Sequence, residues 1–484
     1  MKKPVVLCFL ALVSLLFALF PMPPPASAGT TGGPPEYEIM TLRLPGMILK
    51  VASGNADSDA KTDLFLFHKP AKESYEKFCS IYLQGEGDFK ADRQVQIPLG
   101  EGISAFDIKD IDSDGMDELC GFDADGLIVF QWHSGSSVES GRLLKYQTVL
   151  PKISRGIVAV NWIADVNSDD RMDVLLPGTD GMRLFLMAND FSLVESHVFE
   201  FEQAMSVTDE SGQNYVVYRL PRIEFSDFDK DGYTDLGSFD RERMDFFLTD
   251  GARTPARHKT APLIREFTKD FIASAEFEDL NADGVPDAVL VLLSQKKNLQ
   301  SEVRVYFGDE GFSYGNRPTH VYSGDSRLIL PVFLDATGDG KMEMLLQDIN
   351  VGIGFFLNYF LANRIRVDTA LRMLSQDGRY EDSPAVRRAI YIRVSDSGTE
   401  PARGAGDFNG DGLDDLVVGT SENRLSFFLS NKQTILPKEP TFELSVPAFG
   451  NMTTMDMNAD DRADIIILYP QESMKGIATV LLSR

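Results

Sequence analysis

The chain has 484 residues, 43% of them hydrophobic, enough to bury a large core; a chain of this length is ordinarily divided at roughly one domain per 100 to 200 residues unless it repeats. Its 73 Asp and Glu against 47 Lys and Arg give a formal charge of −26. That balance argues against a general binder of nucleic acid or of anionic membranes, and favours cations or basic partners.

The N-terminus, MKKPVVLCFLALVSLLFALFPMPPPASAGT, sets two lysines before an apolar run from Pro4 to Phe20, then a Pro-rich stretch and the small residues Ala26, Ser27 and Ala28. This is the layout of an export signal. Cleavage is expected after Ala28, giving a signal peptide at 1–28, a Pro/Gly-rich linker at 29–36 and a single domain at 37–484. An uncleaved anchor is the alternative, although the run falls short of the ~20 residues that span a bilayer. No later segment is long and apolar enough to span. The protein is therefore expected outside the cytoplasm of a bacterial cell: periplasmic, extracellular or on the cell surface. Cys8 leaves with the signal, while Cys79 and Cys120 sit in apolar strand-like contexts and are read as buried free thiols, their pairing being open in the sequence.

A spare strand, YEIMTLRL at 37–44, precedes the first of eight copies of one acidic motif. Counting places from the first residue, NADSDAKTDL offers Asn55, Asp57, Asp59 and Asp63 at places one, three, five and nine. DIDSDGMDEL offers Asp110, Asp112, Asp114 and Glu118; DVNSDDRMDV offers Asp165, Asn167, Asp169 and Asp173; DFDKDGYTDL offers Asp227, Asp229, Asp231 and Asp235. DLNADGVPDA supplies Asp279, Asn281, Asp283 and Asp287, and DATGDGKMEM supplies Asp335, Thr337, Asp339 and Glu343. The last two, DFNGDGLDDL and DMNADDRADI, supply Asp407, Asn409, Asp411 and Asp415, then Asp456, Asn458, Asp460 and Asp464. The copies recur at intervals of 49 to 72 residues, a period that means one supersecondary unit stacked on its neighbours.

Each period has the same grammar. An apolar strand such as ISAFDI or IEFS leads into the motif, a second such as DLVVGT or DAVLVLL follows, a third such as LSFFLS or VRVYFG comes after a short connection, and a weaker fourth ends the unit. With no long amphipathic helix, four antiparallel strands per repeat give a propeller blade. After the last motif come two strands, ADIIILYP and ATVLLSR, so the spare strand at 37–44 is free to complete the last blade and remove an exposed edge. The expected fold is all-β, an eight-bladed β-propeller with acidic loops between first and second strands; seven blades is the alternative.

Calcium takes six to eight hard oxygen ligands, and a tight loop with Gly at place six supplies them from alternating positions. Places one, three, five and nine fit that scheme, with a backbone carbonyl near place seven as a further donor. Asp, Asn and Gly also make good turns without any ion, but a simple turn has no use for an acid at place nine. Up to eight structural Ca2+ ions are therefore expected, which would bring the formal charge from −26 to about −10. The loops at Asp110 and Asp227, with four carboxylates, are expected to bind most tightly; those at Asn55 and Asp335 are ranked weakest. Asp170 and Asp461 replace Gly at place six, where Asp tolerates left-handed backbone. With calcium at ten times its dissociation constant each site contributes ~1.4 kcal/mol, or ~11 for eight, comparable with the whole stability of a domain, so the ions are read as structural.

The motif, its place between the first and second strands, and the period of ~57 residues resemble the FG-GAP or VCBS repeat family, best known from the calcium-loop blades of the integrin α-subunit head. The resemblance spans nearly all of 37–484. It implies the propeller and the metal, and leaves function open, since such a fold serves adhesion heads, lectin-like modules and some polysaccharide lyases.

Ligands of propellers usually meet the face away from the metal loops. Its longer connections are HKPAKESYEKF from His68, SQKKNLQSE from Ser294 and the excursion EQAMSVTDESGQNY from Glu202; lysines 69, 72, 77, 296 and 297 are candidates for an anionic glycan, or else a solvated face. The widest interval holds arginines 364, 366, 372, 379, 387, 388 and 393, suited either to an acidic partner or to pairing with nearby acids. HExxH, GxSxG and phosphate-binding motifs are absent, and the five histidines (68, 133, 197, 258 and 320) share no spacing. The reading is a calcium-binding adhesion or binding module for protein or glycan, not an enzyme; a polysaccharide lyase on the same scaffold and an envelope-assembly scaffold are the alternatives.

Overall fold

The computed structural model describes residues 33–484 apart from 60, 86–88, 134–136, 189–190, 201–203, 209–213, 219, 240–242, 250–256, 263–270, 295–299, 310–313, 315–316, 376–377 and 394–400. The signal peptide, Cys8, Lys296 and Lys297 lie outside the described residues.

Strands form where the apolar runs are bounded by the acidic loops, and they assemble into eight four-stranded antiparallel blades set in a ring. Blade 1 is Met47–Gly54, Asp63–Lys69, Phe78–Gln84 and Phe89–Pro98, and blade 2 is Ala105–Lys109, Glu118–Asp123, Gly126–His133 and Ser137–Lys145. Blade 3 is Ile163–Ala164, Asp173–Pro177, Met182–Met187 and Leu193–Phe199; blade 4 is Arg222–Ser226, Asp235–Phe239, Arg243–Leu248 and Arg257–Pro262. Blade 5 is Phe271–Glu278, Asp287–Ser294, Gln300–Tyr306 and His320–Asp325; blade 6 is Arg327–Leu334, Glu343–Asn350, Arg364–Arg372 and Val386–Arg393. Blade 7 is Arg403–Gly406, Asp415–Ser421, Arg424–Phe428 and Phe442–Ser445. Blade 8 takes Asn451–Met455, Asp464–Leu468 and Ile477–Ser483 from the end of the chain and Tyr37–Arg43 from its beginning.

The eight-blade expectation therefore holds, and in blade 8 the strand from the beginning of the described residues lies beside the strand from their end. Tyr37 pairs with Ser483 and the register runs through to Arg43 opposite Ile477. Arg484 adds to the seam, donating its N–H to the Glu36 carbonyl at 3.0 Å and pairing its guanidinium with Glu38.

The burial pattern explains the sequence. Second strands are covered on both faces by neighbouring blades, so Asp63–Lys69 is buried at every position and its run DLFLFHK does not alternate. Fourth strands lie at the rim and do alternate, as in His320–Asp325 and Phe442–Ser445. Aromatic rings fill the seams between blades: Phe67 stacks on Phe106 at 3.8 Å between blades 1 and 2. Cys79 and Cys120 are free and buried in two separate clusters of this core.

Three features interrupt the regular pattern. Val158–Ala159 runs parallel to the first strand of blade 2 before the chain crosses to blade 3. The excursion from Glu202 contains a hairpin, Ala204–Thr208 with Asn214–Tyr218. A ten-residue helix, Ile353–Ala362, fills the connection between the second and third strands of blade 6; the strand-and-turn reading of the sequence had no place for it, because its run IGFFLNYFLA lacks the polar face that marks a helix.

Candidate metal centres

All eight acidic motifs form the same loop between first and second strands. In seven of them the place-one aspartate accepts from the backbone of places five and six: Asp110 Oδ1 and Oδ2 from Asp114 and Gly115 at 3.1 and 2.9 Å, and Asp227 from Asp231 and Gly232 at 3.1 and 2.7 Å. Every place-five acid accepts from place seven, as Asp283 does from Val285 at 2.8 Å. Such a turn bends twice through left-handed backbone. Place four has φ between 53° and 74° in all eight loops, and place six is left-handed wherever it is described, including φ 62° at Asp170 and 63° at Asp461. The two aspartates thus adopt the conformation expected of them. Place four carries Ser, Lys, Ala or Gly and gave no signal in the sequence.

Place nine corrects the sequence argument. The acid there is at most 3% exposed in every blade and has a role in the turn itself. One oxygen accepts from the place-two N–H, from Ala56 to Asp63 at 2.7 Å through Met457 to Asp464 at 2.7 Å, with Glu118 and Glu343 bonded alike at 3.0 and 2.9 Å. The other oxygen, in six blades, accepts from the end of the third strand, as Asp235 does from Thr249 at 2.7 Å and Asp415 from Ser430 at 2.6 Å. A buried backbone donor left unsatisfied is costly, so the acid at place nine ties loop to blade with or without an ion.

Burial pushes these carboxyls up: Asp63 to about 6, Glu118, Asp173, Asp235 and Asp464 to about 7, Asp287 and Glu343 to about 8, and Asp415 well above its ordinary range. The backbone donors oppose that rise; the neighbouring loop carboxylates add to it. A cation among them would favour the ionised set.

The donor sets fit calcium unequally. Oxygens of Asp110, Asp112 and Glu118 lie within 4.8 Å of one another, as do those of Asp227, Asp229 and Asp235, a spread that one calcium with ligands at about 2.3 to 2.6 Å can bridge. These are the two four-carboxylate loops; their place-five acids, Asp114 and Asp231, bond to the backbone at place seven. The Oδ1 atoms of Asn167 at place three and Asn55 at place one are buried with no hydrogen-bond partner, as unfilled ligands would be. Elsewhere the places serve one another or other groups: Asn281 and Asn409 donate to Asp283 and Asp411 at 2.9 and 3.2 Å, Thr337 turns to Asp335 at 3.5 Å, Arg171 pairs with Asp169, and Ser483 donates to Asp460 at 3.1 Å. The residues therefore fit Ca2+ best in the loops of blades 2 and 4, where Asp110, Asp112 and Glu118, and Asp227, Asp229 and Asp235, would hold it as a neutralising clamp.

Sequence reasoning missed place eight. Its N–H donates across the blade junction to place one or two of the preceding loop: Thr62 to Met457, Asp117 to Asn55, Met342 to Leu280, Asp414 to Asp335 and Ala463 to Asp407, at 2.6 to 2.9 Å. At two junctions the side chain answers: Asp117 and Asp414 accept from the N–H of Asn55 and Asp335 at 2.7 and 2.8 Å. Asp414 is 5% exposed and raised to about 7, by burial first. Blade 5 has Pro286 at this place, which has no N–H to give.

On the opposite face, two of the lysines proposed for a glycan are not available. Lys77 is 1% exposed and donates to the carbonyls of Tyr75, Glu101 and Ser154, and Lys69, 5% exposed, to those of Lys72 and Arg155. They join blade 1 to the segments flanking blade 2. The arginine-rich stretch forms the outer strands of blade 6. There Arg366 pairs with Asp368 at 2.7 Å, Arg364 lies over Tyr391 at 4.5 Å, and Arg372 lies over Tyr322 at 4.7 Å while donating to the Glu381 carbonyl.

Residues 407–467, from the loop of blade 7 through its last three strands to the first strand, loop and second strand of blade 8, match the family described as FG-GAP-like repeat, and the same loop recurs in all eight blades. The chain is an eight-bladed β-propeller that carries an FG-GAP-like repeat. No curated protein matches it. Among solved structures, the propeller is similar to a lectin of Agrocybe aegerita described for specific recognition of non-reducing terminal N-acetylglucosamine, at 13% identity and a TM-score of 0.40 over 95% of this chain and 97% of the other. It is also similar to the V. cholerae biofilm matrix protein Bap1, at 9% identity and a TM-score of 0.32 over 94% and 90%.

Proposed function

We propose that this propeller is an exported, calcium-stabilised binding or adhesion module that takes a protein or glycan ligand on the face opposite its acidic loops. The observation that carries this reading is the contrast between the two faces. On the loop face, the place-two to place-nine and place-seven to place-five hydrogen bonds recur in all eight blades, so that face does one structural job eight times. The connections on the other face differ from blade to blade: Lys69–Phe78 is held by buried lysines, blade 6 carries a helix, and a hairpin stands between blades 3 and 4. Variable loops on a rigid frame are where binding specificity concentrates. Export rests on the N-terminal sequence, and among the described residues no helix is long and apolar enough to cross a membrane.

The test is a glycan array and a pull-down with the purified protein, each run with calcium and with chelator. Calcium-dependent retention without turnover supports the reading. Release of unsaturated sugars from an acidic polysaccharide would replace it with a lyase, and an N-terminus other than Gly29 in the exported protein would remove the predicted cleavage.

A further inference from the structure

The helix Ile353–Ala362 projects from the face opposite the acidic loops, since it joins a second strand to a third. Its sequence contains no charged residue. Phe355 is buried, and Phe356 and Tyr359 pack with it against the core of blades 5 to 7. The other side bears Ile353, Leu357, Phe360 and Leu361, which are 82%, 54%, 58% and 81% exposed. Positions i, i+4, i+7 and i+8 make one stripe, on the side where a helix surrounded by water carries charge. Ile353 and Leu361 are the two most exposed large apolar side chains among the described residues.

The helix ends at Asn363, φ 50°, and the chain enters the third strand at Arg364. Arg364 pairs in register with Arg393, and Arg366 with Tyr391, so three arginines and a tyrosine share one sheet face beside the end of the helix. Tyr391 is 44% exposed. An apolar stripe bordered by arginine and tyrosine has the chemistry of an interfacial element, with apolar groups reaching hydrocarbon and cations meeting headgroups. The net charge of −26 does not forbid this locally. The acidic loops lie at the other ends of eight-residue strands such as Glu343–Asn350, a span of about 26 Å, several times the screening length of about 8 Å at physiological salt.

We propose that Ile353–Ala362, with Arg364 and Arg393, docks this propeller onto an anionic lipid surface, the helix lying in the interface and the two arginines on lipid phosphates, while Arg366 stays paired with Asp368. A protein groove could cover the stripe, but it would have to supply both an apolar floor and an acidic rim, and a bilayer of anionic lipid offers both.

The full chain carrying Leu361→Trp reports the position of the helix itself, with the wild-type emission of Trp132 and Trp162 subtracted. Titrated with vesicles of equal phosphatidylglycerol and phosphatidylcholine, the new tryptophan should shift to the blue, and with phosphatidylcholine alone it should need far more lipid. Adding Arg364→Glu and Arg393→Glu should raise the lipid needed for half the shift about tenfold or more. Emission unmoved by saturating anionic vesicles overturns the proposal. So does a blue shift without lipid that grows with protein concentration, which would mean a second copy covers the helix. A lipid shift that the charge reversal leaves in place overturns the part assigned to the arginines.

Discussion

At the scale of the residue, place three and place nine of one loop do different work. Asp235 is buried and bonded to two backbone donors, Phe228 at 2.9 Å and Thr249 at 2.7 Å. Asp235→Asn puts an amide N–H against one of them and should cost about 1 to 3 kcal/mol, seen as a lower melting temperature with calcium or with chelator. Asp229→Asn should lower the melt by more with calcium present than with chelator; equal losses in both conditions would deny Asp229 a metal role. Lys77 supplies a test by pH. Burial, then the charge of Lys69, lowers its ammonium to about 8, while Glu101 opposes the shift. An unfolded lysine titrates near 10.4, so between about 8 and about 10 the unfolded chain holds the proton more often, and the contribution of Lys77 to stability rises with pH. The melting temperature of the wild type should therefore gain on that of Lys77→Met across this window; a flat or falling difference would contradict the assignment. Places one, three, five and nine were legible because Asp, Asn and Gly mark them chemically. The left-handed turn at place four was not, since Ser58, Lys230 and Ala282 adopt it only under the constraint of the bonds on either side.

At the scale of the element, the loops are also joints. The place-eight N–H binds one loop to the next, and Asp117 and Asp414 double that bond. Asp414→Ala should cost about 1 to 3 kcal/mol to the same extent with and without calcium, and a loss confined to calcium would make Asp414 a ligand. A backbone N–H looks alike at every residue, which is why these joints left no trace in the sequence. The strands left a clear one: a second strand covered on both sides carries its apolar residues without alternation, as LFLF in Asp63–Lys69 and AVLVLL in Asp287–Ser294 do. The helix of blade 6 escaped because its apolar residues are continuous. A run such as FFLNYFLA has no period to separate a strand from a helix, and its exposed side goes against the rule that apolar stripes face a core. The lysines of blade 1 were misplaced for a related reason, since sequence shows a charge but not the carbonyls folded around it.

At the scale of the molecule, calcium and ring closure act on the same object. If eight sites each contribute ~1.4 kcal/mol, chelation should lower the melting temperature by on the order of 10 °C; a melt unchanged by chelator, together with purified protein free of calcium, would leave the loops as hydrogen-bonded turns alone. The ring shuts where Tyr37–Arg43 pairs with Ile477–Ser483, residues at opposite ends of the domain. Blade 8 therefore has no complete sheet until Ile477–Ser483 and Tyr37–Arg43 have met. During synthesis the other blades form an open arc with a raw strand edge at each end, and the long loop that must close is entropically slow to do so. The seven residues Ile477–Ser483 act as a clasp: a propeller in which they have not met Tyr37–Arg43 is an unshut arc with edges free to pair with other chains.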